Sequence, residues 1–236
     1  MKVWSCFAVT CVSLVLSQCG DTSAQAQLDD AGFYSSHIDN KLEIGTRINH
    51  IVLLDDKRGE PYNGSFVGSV TQLREDQDYL PVRFYVQYKF WSYLGIGASY
   101  DKVGAEAGDW GLHGPGTGGA DGTVELSGPL LYLLGCYPNS TRFTPFCELG
   151  AALYSADFEG DAGWGGGKEM VLEDKNGFYC ALGCDCRLHD WWSINIYGRY
   201  VNVDVDGVYN LNGDYREDVL FTMSHLAFGI GAKYTF

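Results

Sequence analysis

Strict alternation of apolar and polar residues constrains this chain more than any other feature, because a period of two places successive side chains on opposite faces of a β-strand. The pattern is clearest at the end of the sequence. Phe228, Ile230, Ala232, Tyr234 and Phe236 share one face there, and Ala227, Gly229, Gly231, Lys233 and Thr235 share the other. Residues 178–188 repeat it, with Phe178, Cys180, Leu182, Cys184, Cys186 and Leu188 against Tyr179, Ala181, Gly183, Asp185 and Arg187. Six further stretches, about 41–53, 79–90, 93–103, 123–137, 143–154 and 193–203, behave alike, which predicts eight strands in all. The connections alternate in length: short at about 91–92, 138–142 and 189–192, long at about 54–78, 104–122, 155–177 and 204–220.

Alternation alone allows two eight-stranded closures. A soluble, lipocalin-like barrel turns its apolar face inward around a ligand, whereas a membrane barrel turns it outward. Aromatics favour the membrane: Phe90, Trp91, Tyr93, Tyr137, Phe143, Trp191, Trp192, Tyr234 and Phe236 all map to the short-turn side. Rings gathered at one level suit a membrane interface. Tyr100, Tyr154, Phe178 and Tyr200 suggest a second belt near the long connections. Short turns on one side and long loops on the other match up-and-down barrels whose turns face the periplasm.

The final alternating run, with Tyr234 and terminal Phe236, resembles the assembly signal of bacterial outer-membrane barrels, and residues 41–236 together resemble the small OmpA/OmpX-like and OmpW-like barrels. The expected fold is therefore all-β: an eight-stranded antiparallel up-and-down transmembrane β-barrel with short periplasmic turns and long, mobile outer loops. The resemblance implies a monomer whose partners are the lipid bilayer, lipopolysaccharide and the outer-membrane assembly machinery. It implies a structural or surface-interaction role, with uptake or passage of small apolar solutes as the alternative.

The N-terminus agrees with export. Lys2 precedes an apolar run from Val3 to Leu16, and Ala24-Gln25-Ala26 stands where a secretory peptidase cuts, so residues 1–26 read as a signal peptide and 27–40 as a flexible lead-in. Leu16-Ser17-Gln18-Cys19 begins a lipobox, which keeps an acylated Cys19 as an alternative, although Gln18 is large for that site. Cleavage after residue 26 leaves five cysteines, an odd number that does not make a disulfide framework. Thirty acidic against sixteen basic residues give a net charge of −14, the wrong sign for a nucleic-acid partner.

With the apolar face on lipid, the opposite face fills the lumen. It collects Glu43, Arg47, Arg83, Lys89, Glu125, Glu148, Asp185, Arg187, Arg199 and Lys233, together with His225, Tyr85, Gln87, Asn195 and Tyr197. Mixed charges in a confined interior should pair and fill a narrow barrel rather than leave a wide channel. A proton-relay or solute path is the sharper alternative.

Other motifs carry less. Asn202, Asp204, Asp206 and Asn210 resemble the start of a calcium loop, but Gly213 stands where a bidentate Glu belongs, so a solvated acidic loop is the simpler reading. Cys147, Cys180, Cys184 and Cys186 share a lipid-facing row that does not converge on a metal, and no cofactor is expected. The lipid A deacylases among such barrels place a catalytic His two residues before Ser; no His here does so, and adjacent Ser224 and His225 point to opposite faces. The expectation is a non-enzyme. Glycine-rich stretches 114–119 and 163–167 read as flexible loop, and Phe66, Val67, Val70 and Leu73 have the spacing of one helical turn that caps the barrel mouth.

Overall fold

Eight of the alternating stretches join edge to edge. The computed structural model describes residues 41–54, 59–61, 72–75, 82–108, 120–160 and 167–236, and within them every regular element is a strand. Eight long strands form the barrel: β1 (Leu42–Leu53), β4 (Val82–Trp91), β5 (Leu94–Gly108), β6 (Ala120–Cys136), β7 (Phe143–Gly160), β9 (Lys175–Arg187), β10 (Trp192–Asn202) and β13 (His225–Thr235). Each pairs antiparallel with its neighbours, and β1 pairs with β13, so the sheet closes on itself. Closure leaves no barrel edge exposed. The seam is fixed in register from Glu43↔Thr235 to Leu53↔His225, and the Phe236 N–H donates to the Leu42 carbonyl at 2.9 Å.

The long connections are not simply mobile loops. They hold five short strands: β2 (Gly59–Pro61), β3 (Gln72–Glu75), β8 (Lys168–Leu172), β11 (Asp204–Leu211) and β12 (Tyr215–Thr222). Four of these form a sheet in the order β2-β12-β11-β8, which repeats the barrel order β1-β13-β10-β9. Each short strand therefore prolongs the barrel strand beside it in the sequence. β11 and β12 are joined at Asn212 and Gly213, both at positive φ, with the Asp214 N–H donating to the Leu211 carbonyl. An Asn-Gly pair suits that left-handed turn because neither residue resists it strongly. Ser224 stitches the bend below the hairpin, its hydroxyl accepting from the Val203 N–H at 3.1 Å. Leu73 lies in β3, paired with Ala107, rather than in a helical turn. The rest of that segment (Phe66, Val67, Val70), the signal peptide, residues 27–40, Cys19, Gly114–Gly119 and most of 163–167 lie outside the described residues.

Side chains settle which way the barrel faces. Ile44, Ile48, Phe84, Ile96, Leu133, Ile196, Phe228 and Ile230 all stand exposed on the outer wall, while Arg47, Arg83, Glu148 and Arg199 are buried inside. A soluble barrel requires the reverse, so the lipocalin-like alternative fails. Around the short-turn end, Phe90, Trp91, Tyr93, Tyr137, Phe143, Trp191 and Trp192 are exposed as a ring. Tyr234 is part of it, with its ring 4.8 Å from that of Phe236 and 5.2 Å from Trp192. Of the expected upper belt, Tyr100 and Phe178 face outward, but Tyr154 is buried in the lumen because it shares the parity of Glu148 on β7.

The wall is taller than a membrane. β7 has 18 residues, which at about 3.3 Å each and a tilt of about 40° stand roughly 45 Å high, against an apolar band of about 25 Å. Faces change character along that height. On β10 and β11 the outward residues run Ile194, Ile196, then Asn202, Asp204 and Asp206, while the inward ones run Asn195, Arg199, then Val201, Val203 and Val205. Low in the wall the barrel is apolar outside and polar inside. High in the wall it is the opposite.

An outward arginine should discriminate the two zones. Ile196, midway up the apolar band, should lose about 2–4 kcal/mol of folding stability as Ile196→Arg, whereas Asn202→Arg should lose no more than about 1 kcal/mol. Urea unfolding of the protein in lipid vesicles measures both.

Candidate functional site

The lumen contains the charged residues that the fold encloses, arranged in three levels. The lowest, at the short-turn end, is an ionic tetrad. Lys233 Nζ donates to Glu43 Oε2 at 3.1 Å and to Asp185 Oδ2 at 2.5 Å, and Lys89 Nζ donates to Glu43 Oε1 at 2.7 Å. Two carboxylates and two ammoniums neutralise one another there. Arg187 shares the inward parity of Asp185 but lies past the tetrad, exposed at the rim of an open cavity of about 430 Å³ that Asp190 and Trp191 also line. It is a mouth residue rather than part of the packed lumen.

The middle level is built on Arg47 and Glu148. Arg47 donates two hydrogen bonds to Glu148, at 2.8 and 3.3 Å. Its guanidinium is held between the faces of Tyr85 and Tyr197, each centroid 4.3 Å from Cζ. Glu148 also accepts from Gln87 at 3.3 Å and from the Tyr179 hydroxyl, while Tyr197 donates to Asn49 and Asn195 donates to Tyr85 at 2.9 Å. The bonds around Glu148 lower the cost of burying the pair, because a buried carboxylate is tolerable when its lone pairs are satisfied.

The upper level centres on Asp101. Arg199 approaches it at 2.8 and 3.2 Å, Tyr154 donates to it at 2.9 Å, and His225 Nε2 lies 4.0 Å away. Arg83 is buried at this level with no hydrogen-bond partner among the described residues. Above it the lining turns apolar, through Val103, Ala105, Leu126, Val201, Val203, Phe221 and Met223.

Sequence parity placed most of these residues together but not all. Glu125 does not face the lumen: Val124 and Leu126 do, and Glu125 stands on the outer wall in an ion pair with Lys102 at 2.7 Å. The reason is its height, above the apolar band, where outward positions are polar. Asp101, Asn49, Tyr132, Tyr154 and Tyr179 were not among the sequence candidates, although each shares the inward parity of its strand. The four calcium candidates lie along extended chain, where alternate residues are about 6.6 Å apart, and Asp206 is already bound to Lys175 at 2.5 Å. Asn202, Asp204, Asp206 and Asn210 are therefore not drawn around one point. Cys147, Cys180, Cys184 and Cys186 form no disulfide with one another and face outward, and the register sets Cys147 opposite Leu182 and Cys184 opposite Pro145. Ser224 and His225 are tied to the backbone at the bend, the latter within 3.0 Å of the Met223 carbonyl.

This closed antiparallel barrel is also the fold of solved outer-membrane proteins. The fold is that of a small outer-membrane barrel. OprG of Pseudomonas aeruginosa, an outer membrane protein, matches 85% of this chain and 97% of its own at 16% identity and a TM-score of 0.63. AlkL, an outer membrane protein solved in lipid bilayers, matches 91% of this chain and 97% of its own at 14% identity, with a TM-score of 0.62. Outer Membrane Protein W of E. coli matches 85% of this chain and all of its own at 18% identity, with a TM-score of 0.53. No protein-family model matches the sequence, and no curated protein matches it.

The lumen and the outer wall predict different costs. Arg199→Leu leaves Asp101 buried beside an apolar side chain and should lower stability by about 3–5 kcal/mol. Glu125→Gln removes only a partly exposed pair and should lose less than about 1 kcal/mol. The temperature at which the folded protein loses its faster gel mobility reports both; equal shifts would contradict a packed ionic lumen.

Proposed function

We propose that the protein is exported to a bacterial outer membrane and serves there as a non-enzymatic barrel that passes small apolar solutes from outside into the bilayer. The observation that carries this is the change of lining at Asp101: an apolar upper lumen rests on a closed ionic floor. A hydrated ion descending from the long-loop end would have to shed water among apolar side chains and then break ion pairs. An apolar solute gains by leaving water at the first of these stages and is stopped only at the second. Its way out is sideways.

The wall supplies a place for that exit. The β6–β7 ladder runs from Gly122↔Gly160 to Ser127↔Ser155 and resumes in the same register at Leu130↔Ala152, leaving Gly128 and Pro129 without ladder partners on β7. Proline has no N–H to donate, so this stretch is held more weakly than the rest. It is also narrow, since a Cβ on Gly128 would sit 1.9 Å from the Leu153 carbonyl oxygen. The unpaired stretch flanks Tyr154, whose hydroxyl marks the top of the ionic floor. Loosening the wall at this height joins the apolar lumen to the lipid.

A second reading is a surface-interaction role, favoured by the acidic outer sheet, where Glu169, Glu173, Asp174, Asp204 and Asp218 are all exposed. Those carboxylates suit divalent ions bridging lipopolysaccharide, the expected lipid partner at this height. Assembly would read the terminal strand through Tyr234 and Phe236.

Cells carrying the protein should take up a fluorescent apolar probe several-fold faster than cells without it, while the purified protein in planar bilayers should show no stable ion conductance. Pro129→Ala restores a backbone donor and should slow uptake without lowering stability. Uptake equal to that of cells lacking the protein would leave the surface role as the better reading.

A further inference from the structure

The charges of the lower lumen do not balance. Arg47, Arg83, Arg199, Lys89 and Lys233 stand against Glu43, Asp101, Glu148 and Asp185. Lys89 and Lys233 close the tetrad with Glu43 and Asp185, Arg47 takes Glu148, and Arg199 takes Asp101. The surplus cation is Arg83. It is fully buried, and its Nε, Nη1 and Nη2 all lack a hydrogen-bond partner.

Neither nearby carboxylate accepts a hydrogen bond from it. Glu148 already accepts two bonds from Arg47, one from Gln87 and one from Tyr179, which fills the four acceptor sites of a carboxylate. Asp101 is engaged by Arg199 and Tyr154 and has His225 beside it. The register worsens the position, because Arg83 lies directly opposite Arg47 on the neighbouring strand, where like charges repel. Both guanidiniums also approach the same ring, that of Tyr197, at 5.4 and 4.3 Å. Guanidinium cannot escape by losing its proton, as a buried lysine or carboxyl can.

The other unpaired groups of this region show what is missing. Arg47 Nε, Arg199 Nε and Asn49 Nδ2 are buried donors without acceptors, against one open pure acceptor, Asn195 Oδ1, and the Ser99 hydroxyl, which can donate or accept. A surplus of donors around a surplus positive charge calls for an acceptor that carries negative charge. We infer that Arg83 is the centre of an internal binding site for a small monovalent inorganic anion of the halide class, which completes the charge balance of the lumen. Complete burial of Arg83 favours a small ligand over a bulky one. Admitting it requires the Arg83 head to shift, and that head has no hydrogen bond to break. The site acts in the folded barrel as an internal counterion, separate from the apolar lining through which solutes are proposed to pass.

Two measurements on the full-length folded protein test this. Crystals grown in bromide in place of chloride should show an anomalous peak within hydrogen-bonding reach of Arg83; ordinary solvent or nothing at that place overturns the site and assigns Arg83 to water alone. The temperature of the heat-dependent mobility shift should stand a few degrees higher in chloride than in a bulky organic anion at equal ionic strength. Arg83→Met should abolish that difference, and a difference that persists in the variant also overturns the proposal. Should Arg83→Met fail to fold, the bromide map on the unaltered protein decides. A negative result leaves solute uptake untouched, so failure here is distinct from failure of the uptake reading.

Discussion

One constraint organises the molecule: in the membrane zone the outer wall must be apolar, and the polar side chains that strand alternation generates can only point inward. Eight strands leave a lumen just wide enough for side chains, so those inward groups meet one another rather than water. A charge there without a partner would cost several kcal/mol. The tetrad at Lys233, the Arg47–Glu148 pair and the Arg199–Asp101 pair are the consequence, each at its own height, and in the two upper pairs a tyrosine hydroxyl also donates to the carboxylate. Stability and closure of the pore thus have the same cause.

Where lipid ends, the constraint lapses and the faces exchange roles. Above Arg199 the inward residues become Val201, Val203 and Val205, and the outward ones become acidic. The bend at Val203 and Ser224 marks this change in the backbone; β11 and β12 carry the wall onward in the strand order of β10 and β13. The upper section is built as a water-soluble barrel is built, with its apolar residues inside, and it is seated on a membrane barrel of the opposite polarity.

The same inversion explains what the sequence made legible. Within the apolar band, a single parity per strand assigns every face, and the placements of Arg83, Tyr85, Gln87 and Lys89 on β4 follow directly from it. Past the band, the apolar residues move to the other parity, which breaks the running pattern and imitates the end of a strand. Residues 204–220 therefore read as loop although they form a hairpin, and its Asn212-Gly213 turn, flanked by Tyr209 and Val219, is the local signal that reveals it. Glu125 is misplaced for the same reason, since charge alone put it inside although its parity on β6 is that of Leu131 and Leu133. Tyr154 is the converse case, an aromatic ring near a strand end that parity sends inward to Asp101. Contacts between levels, such as Arg47 with Glu148 across a separation of 101 residues, depend on the stagger between strands. Alternation carries no information about stagger.

The two zones also bear on the proposed passage of an apolar solute. A path down the axis would need one lining chemistry throughout, and this lumen has two, apolar above and ionic below, in an order that suits no single solute. An apolar molecule entering from the long-loop end finds a favourable environment until the Tyr154–Asp101 level, where the inner lining becomes charged just as the outer wall becomes apolar. At that height the environment it requires continues only across the wall. The unpaired stretch at Gly128 and Pro129 lies at the same level, so the weak point of the ladder coincides with the place where inside and outside exchange polarity. The proposed passage through the wall draws its argument from the inversion, because only a lateral step would keep an apolar solute in apolar surroundings from entry to release.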